Sequence, residues 1–283
     1  MDNLSMAMLQ AIPDLATSIN SSLDDLDGWN CCIHCRKEIK RMNLELLGKP
    51  FRPLPTCKCV VEIEREKQQA QEREERKRRL KAAYSKSIMN DDLVNARLTN
   101  FTIRPGTEVA FEESRKYLKT WAERKLGLLM FGPPGNGKSH LLRGIEYELD
   151  AAGYATLFLD WPQLTVLAKD TLNKGSKVSL TDIIKSACEV DFLVLDEIGA
   201  GALTEFEFKD ILFPIVNGRQ GKKTGWTTNL DLNRLGNWFL QDRNGKFLDQ
   251  DGRLLDRILG GCEIVENKGT SKRREDALRR LQG

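Results

Sequence analysis

No apolar run in these 283 residues approaches the roughly 18 that a membrane-spanning helix needs, so no helical membrane anchor is expected. Basic residues are missing from the start of the chain: residues 1–30 hold Asp2, Asp14, Asp24, Asp25 and Asp27 but no Lys or Arg. A secretory leader needs a basic opening and an unbroken apolar stretch, so no signal peptide is expected and a cytoplasmic location is. The seven cysteines are then read in a reducing compartment, where metal ligation or catalysis is favoured over disulfides. An aromatic and basic platform of the kind that stacks nucleic-acid bases is also missing. Nucleic-acid contact would have to run through phosphates, with Lys222, Lys223 and Lys272 to Arg274 as candidates against the plainer reading of solvated surface charge.

What is present has an uneven charge. The net +3 divides into an acidic head of −5 over residues 1–30 and a body of +8, which fits separate partners for the two parts. Forty per cent hydrophobic residues suffice for a core, and the length suits one ordinary domain plus a smaller module.

Four zones follow one another. Leu4, Met8, Leu15, Ile19, Leu23 and Leu26 recur at mostly helical intervals around Pro13, which predicts two short amphipathic helices or a partly ordered segment. Residues 31–60 collect five cysteines and three prolines. Residues 62–86 are strong helix formers with little apolar periodicity, which predicts a solvated connector helix, with DNA contact through Arg76 to Arg79 as the alternative. From about residue 91, apolar runs at 126–131, 155–160, 191–196, 225–229 and 262–265 alternate with helical patterns. That alternation predicts an α/β domain with a central parallel sheet.

The stretch GPPGNGKS (132–139) follows an apolar run and precedes a helical one, the context in which G-x-x-x-x-G-K-[ST] cradles phosphate. Gly135 and Gly137 let successive N–H groups face phosphate oxygens, and the helix adds its positive end. Lys138 is expected to neutralise the β- and γ-phosphates, and Ser139 to offer its hydroxyl to Mg²⁺. The ATP-binding set expected here is Gly132, Pro133, Pro134, Gly135, Asn136, Gly137, Lys138, Ser139, His140 and Asp196. DFLVLDEIG ends a buried strand in two carboxylates: Asp196 joins Ser139 at the magnesium, and Glu197 polarises a water for attack on the γ-phosphate. An ATPase is expected.

Beyond these motifs, LTNFTI (98–103), GLLMFGPPGNGKSHLL (127–142), FLVLDEIG (192–199), TTNL (227–230) and GRLLDRILG (252–260) resemble the AAA+ ATPases of the DnaC/DnaI helicase-loader group. The IstB transposition ATPases are near relatives. The resemblance runs from Asp91 to Arg274. It implies that Asn229 helps orient the attacking water, that Arg257 is an arginine finger acting on a neighbouring subunit's ATP, and that Arg273 is a second sensor within its own subunit. Three departures accompany it: the polar insertion QDRNGKFLDQDG (241–252), Pro214 inside a helical pattern that it should kink, and Gly225-Trp226 where β-branched residues are expected. DQDG lacks the oxygen ladder of a calcium loop and reads as a turn.

CCIHC (31–35) packs three cysteines and one of the two histidines into five residues. Cys32 and Cys35 make one pair, and Cys57 and Cys59 a second 22 residues after Cys35, a pattern that suits tetrahedral zinc. Cys31 and His34 remain alternative ligands, and a redox pair the alternative chemistry. A module this small needs the metal to fold. Cys188 and Cys262 fall in apolar segments and read as packing residues. The resemblance then implies three parts: residues 1–61 as a zinc-binding region that docks a hexameric replicative DNA helicase, 62–90 as a charged linker helix, and 91–283 as an AAA+ domain that self-associates and handles single-stranded DNA. The alternative is an ATPase that targets a transposase to DNA; a third reading is a zinc adaptor with a vestigial ATPase.

Overall fold

The computed structural model describes residues 29–46, 48–84, 93–171 and 179–282. The helices expected before Trp29 and the boundary expected at Asp91 lie outside these residues. The chain divides into two compact units, one ending at Gln69 and one beginning at Ala70.

In the first unit, β1 (Trp29–Cys31) pairs antiparallel with β2 (Glu38–Lys40), and β3 (Leu44–Leu46) with β4 (Lys49–Phe51). Three-residue strands in separate hairpins cannot bury a sheet face. Among the residues whose side chains are described here, Cys32 is the one buried hydrophobic group. Helix α1 (Lys58–Tyr84) then begins, its first turn anchored on Cys57, whose carbonyl accepts from the N–H groups of Val60 and Val61. Its 27 residues extend about 40 Å at 1.5 Å each. Val61 and most described side chains from there to Glu75 are exposed. The side chains of Arg76 to Arg79 are outside the described set.

After the later part of α1 and a short 3-10 turn at Leu98–Asn100, the second unit holds α2 (Glu108–Lys119), β5 (Gly127–Phe131), α3 (Lys138–Ala151), β6 (Thr156–Asp160), α4 (Trp161–Asp170), α5 (Leu180–Glu189) and β7 (Phe192–Ile198). It continues through α6 (Phe213–Gly218), β8 (Lys223–Thr228), α7 (Leu232–Leu240), α8 (Arg253–Gly260), β9 (Cys262–Glu266) and α9 (Lys272–Gln282). The five strands form one parallel sheet in the order β6-β7-β8-β5-β9. Strand alternation divides each apolar run between two faces. Leu128, Met130, Phe192 and Val194 pack with Tyr117, Leu141, Leu142 and Ile145 of α2 and α3. Leu129, Leu193 and Leu195 pack with Leu164, Ile183, Ile215, Leu235 and Ile258 from the helices opposite. A strand covered on both sides needs apolar residues at every position, which is why these stretches read as unbroken runs.

Each departure noted above has a local reason. A Cβ on Gly225 would stand 3.0 to 3.3 Å from Phe192, Leu142 and Val194, so glycine lets α3 close on the sheet while Trp226 fills the other face. At Pro214 the helical pattern is interrupted, as expected of a proline there. The turns before it, Glu207–Leu212, open to π spacing, with the Phe213 N–H donating to the Phe208 carbonyl five residues back. Pro214 then enters α6 in its first turn, where no N–H is required. The insertion folds on its own polar groups. Asp242 accepts from the N–H groups of Asn244 and Lys246 at 2.7 and 2.9 Å, and Asp249 from those of Arg253 and Leu254 at 3.1 and 2.8 Å. DQDG therefore leads into the first turn of α8, as the turn reading requires.

Candidate functional site

The loop from Gly132 to Gly137 joins the carboxyl end of β5 to the amino end of α3. Elements from far along the chain press on it from behind. A Cβ on Gly132 would fall 2.1 Å from the Asn267 carbonyl, and one on Gly135 2.4 Å from the Ser271 hydroxyl. Both residues also have positive φ, +139° and +76°, so only glycine fits. Asn136 is buried and donates through Nδ2 to the Asn267 carbonyl at 2.6 Å, fixing the loop from the inside. Pro133 and Pro134 are exposed on it.

Lys138 is buried, and its Nζ donates to the carbonyls of Gly132 and Pro133 at 2.8 Å and to Asn229 Oδ1 at 2.9 Å. Burial pushes its pKa down to about 8, opposed by the carboxylates of Asp196 and Glu197. A desolvated ammonium resting on neutral carbonyls is suited to exchange them for phosphate oxygens. Asp196 is buried in turn, and burial lifts its carboxyl to about 6 against hydrogen bonds from Thr227 and Ser139. The Ser139 hydroxyl and Asp196 carboxylate thus come together as a hard-oxygen pair of the kind Mg²⁺ takes. Glu197 follows with φ +59°, a sparsely populated conformation for a residue with a side chain. The Glu197 N–H donates to Thr227 Oγ1 at 2.9 Å.

His140 turns elsewhere. Its Nε2 lies 2.9 Å from both the Arg97 carbonyl and Asn100 Oδ1, and its ring meets the Phe101 ring edge-on at 5.3 Å. It joins α3 to the segment 97–101. Arg273 is exposed in the first turn of α9, and the neighbouring Lys272 N–H donates to the Gly135 carbonyl at 2.9 Å, so α9 begins against the phosphate loop of its own chain. Arg257 is not brought to that loop. It hydrogen-bonds Asn217, covers the Phe213 ring at 5.7 Å, and shares a groove with Lys125, Lys223 and Cys262 at the amino ends of the strands. Lys222 and Lys223, the candidate phosphate contacts, donate at 2.5 Å to the carbonyls of Cys188 and Trp121.

Two contributors carried no reading of their own in the sequence. Arg104 reaches the Thr270 carbonyl at 3.0 Å, both Glu275 oxygens at 3.3 Å and the Asn136 carbonyl at 3.4 Å, clamping α9 to the loop. No motif marks it. Thr227 touches both Asp196 and Glu197, and its only signal was its place in TTNL.

In the first unit, Cys32, Cys35, Cys57 and Cys59 put their four sulfurs within 4.8 Å of one another. Cys32 to Cys59 is 3.4 Å, and Cys57 to Cys35 and to Cys59 is 3.5 Å each. A tetrahedron of sulfurs about 2.3 Å from a zinc ion has edges of about 3.8 Å, so the donor set fits that metal with little adjustment. Backbone hydrogen bonds at Cys35 and His34 lower the Cys32 thiol to about 6, while the hydrogen bond to Cys32 raises that of Cys59, so in this pair Cys32 is the thiolate and Cys59 keeps its proton until a metal displaces it. Cys31 and His34 are exposed and outside the cluster. Cys262 is buried in the second unit's core, and Cys188 lies against Gly218 there, as packing residues.

Comparison with known proteins agrees with this geometry. The DnaC replicative helicase loader of Escherichia coli K12 is 28% identical over 160 residues, 56% of this chain and 64% of its own length. The match therefore spans less than two thirds of that relative. The DnaI replicative helicase loader of Bacillus subtilis is 21% identical over 263 residues, 90% of this chain and 83% of that protein. Among solved structures, a DnaC helicase loader superposes with a TM-score of 0.51 at 23% identity, covering 63% of this chain and all of that one. A DnaI structure gives 0.51 at 22%, covering 63% and 94%. These place the fold with the AAA+ P-loop ATPases. The model of the IstB-like ATP binding protein family matches residues 60–279, more than three quarters of the sequence. The chain belongs to the IstB-like ATP-binding family.

Proposed function

We propose that this protein is an ATP-hydrolysing loader that places a hexameric replicative helicase on single-stranded DNA. The observation that carries this reading is the match to the Bacillus subtilis helicase loader over 90% of the chain. At most about 30 residues lie outside that match, so it takes in part or all of the segment from Cys32 to Cys59 and the whole or greater part of the ATPase domain. Residues 1–61 are the helicase-docking region, folded by zinc on Cys32, Cys35, Cys57 and Cys59. Residues 62–90 connect it to the ATPase domain at 91–283.

In the ATP site, Lys138 and the loop N–H groups hold the β- and γ-phosphates, and Ser139 and Asp196 hold Mg²⁺, which neutralises charge on the phosphates. Glu197 takes the proton of the attacking water, which Asn229 orients, and Arg273 senses the γ-phosphate from the same chain. Arg257, at the other end of the strands from its own phosphate loop, serves a neighbouring subunit. A finger supplied this way is worth roughly 10³–10⁵ in rate, so hydrolysis depends on self-association.

Native mass spectrometry of the protein with a hexameric replicative helicase tests the assignment. A complex that disappears when residues 1–62 are removed is the expected result. The family's IstB relatives keep a second reading open: an ATPase that assembles on duplex DNA and recruits a transposase. ATP-dependent binding of duplex DNA, with no helicase complex, would select it.

A further inference from the structure

The sheet carries an irregularity beside the two carboxylates. Leu195 stands opposite Trp226, and the next pair is Ile198 with Thr228. Asp196 and Glu197 of β7 therefore face a single residue of β8, Thr227. This is a β-bulge, a device that re-aims side chains next to active sites. It breaks the ladder at Glu197, whose backbone takes φ +59°. The broken ladder leaves a backbone N–H that must find another partner.

Thr227 supplies that partner with its side chain. It is 1% exposed, and its hydroxyl has one proton to donate and lone pairs to accept with. Oγ1 donates to Asp196 Oδ1 at 2.5 Å and accepts from the Glu197 N–H at 2.9 Å. One oxygen thus ties the side chain of the first carboxylate to the backbone of the second. The Asn229 side chain, two residues on and just past β8, accepts from Lys138, so the end of β8 and the residue after it contact three of the groups assigned above to ATP.

We infer that Thr227 is a positioning residue for ATP hydrolysis: its hydroxyl holds the bulge that sets Glu197 relative to Asp196. It touches neither nucleotide nor water in this role and acts through its two neighbours. Valine has the same shape without the hydroxyl and would leave the Glu197 N–H unpaired. Serine keeps the hydroxyl and drops only a methyl group. The inference rests on the hydrolytic reading proposed above.

The test is steady-state hydrolysis of Mg-ATP by the full chain, with helicase and single-stranded DNA present, for wild type, Thr227→Val and Thr227→Ser. Removing a supporting partner of this kind typically lowers activity 10- to 100-fold. Thr227→Val should lose about that factor in kcat while KM moves less than about threefold, and Thr227→Ser should stay within about threefold of wild type. Should the valine variant fail to fold, Thr227→Ala takes its place against the same serine rescue. A valine or alanine variant with wild-type kcat would overturn the inference, as would a serine variant equally impaired or a loss confined to KM. A wild type that does not hydrolyse ATP at all would instead remove the hydrolytic reading, and this role with it.

Discussion

Between Trp29 and Cys59 the chain makes two hairpins with three-residue strands and buries one described hydrophobic side chain, that of Cys32. Between Gly127 and Glu266 it covers both faces of a five-stranded sheet and buries Leu, Ile, Val and Phe side chains completely. Burying one such side chain contributes about 1.5–3 kcal/mol, so the second region is held by many similar contributions. The first has almost none of them and gathers four thiols instead. Stability in one region is spread over dozens of contacts, and in the other the expected source is a single centre, zinc on the four sulfurs. The proposed functions follow the same division: the phosphate-loop motif rests on the packed sheet, and the region proposed to dock a helicase rests on the four cysteines.

The sharpest way to break this contrast is to remove one sulfur. Zinc in sites of this type contributes about 10–16 kcal/mol of apparent binding free energy. Cys57→Ser should therefore reduce bound zinc from one per chain to none after dialysis, measured by elemental analysis, and leave the melting transition of the second unit in place. A packed core should respond by degrees. Leu142 is fully buried between α3 and the sheet, and Leu142→Ala should cost about 2–5 kcal/mol in denaturant unfolding while zinc content stays at one.

A third prediction concerns protons. Burial lifts the Asp196 carboxyl to about 6, and in the magnesium role proposed for it the group must be ionised. Lowering the pH below about 6 protonates it, so protons compete with the cation. Mg²⁺-dependent ATP affinity should then fall by up to about tenfold per pH unit, the limit for one proton, as followed with a fluorescent nucleotide. Raising the pH from 6 to 7.5 should restore it. The smallest effect is expected from an exposed ion pair. Lys116 and Glu113 lie 3.3 Å apart on the surface of α2, and Glu113→Ala should change stability by less than about 0.5 kcal/mol in the same unfolding assay.

Much of this was readable from local pattern. The phosphate loop, the DFLVLDEIG strand and the two cysteine pairs each announce themselves within about ten residues, because their chemistry is set by neighbours in sequence. The five apolar runs gave the strands for the same reason. What was missed depends on partners far away: Arg104 meets Glu275 across 171 positions, and Asn136 meets Asn267 across 131. The bulge opposite Thr227 is a property of strand register, which no single segment contains. His140 sits in the motif yet bonds to residues 97 and 100, a contact the motif does not encode. Pro214 signalled disruption correctly, but the form it takes, a π turn before the proline, depends on how α6 packs.

Hydrogen exchange of the full chain, read by mass spectrometry with and without a zinc chelator, puts the contrast between the two regions to its most direct test. Chelation should strip protection from residues 29–57 and leave strands β5 to β9 protected as before. Unchanged protection in residues 29–57, or loss in both regions together, would contradict it.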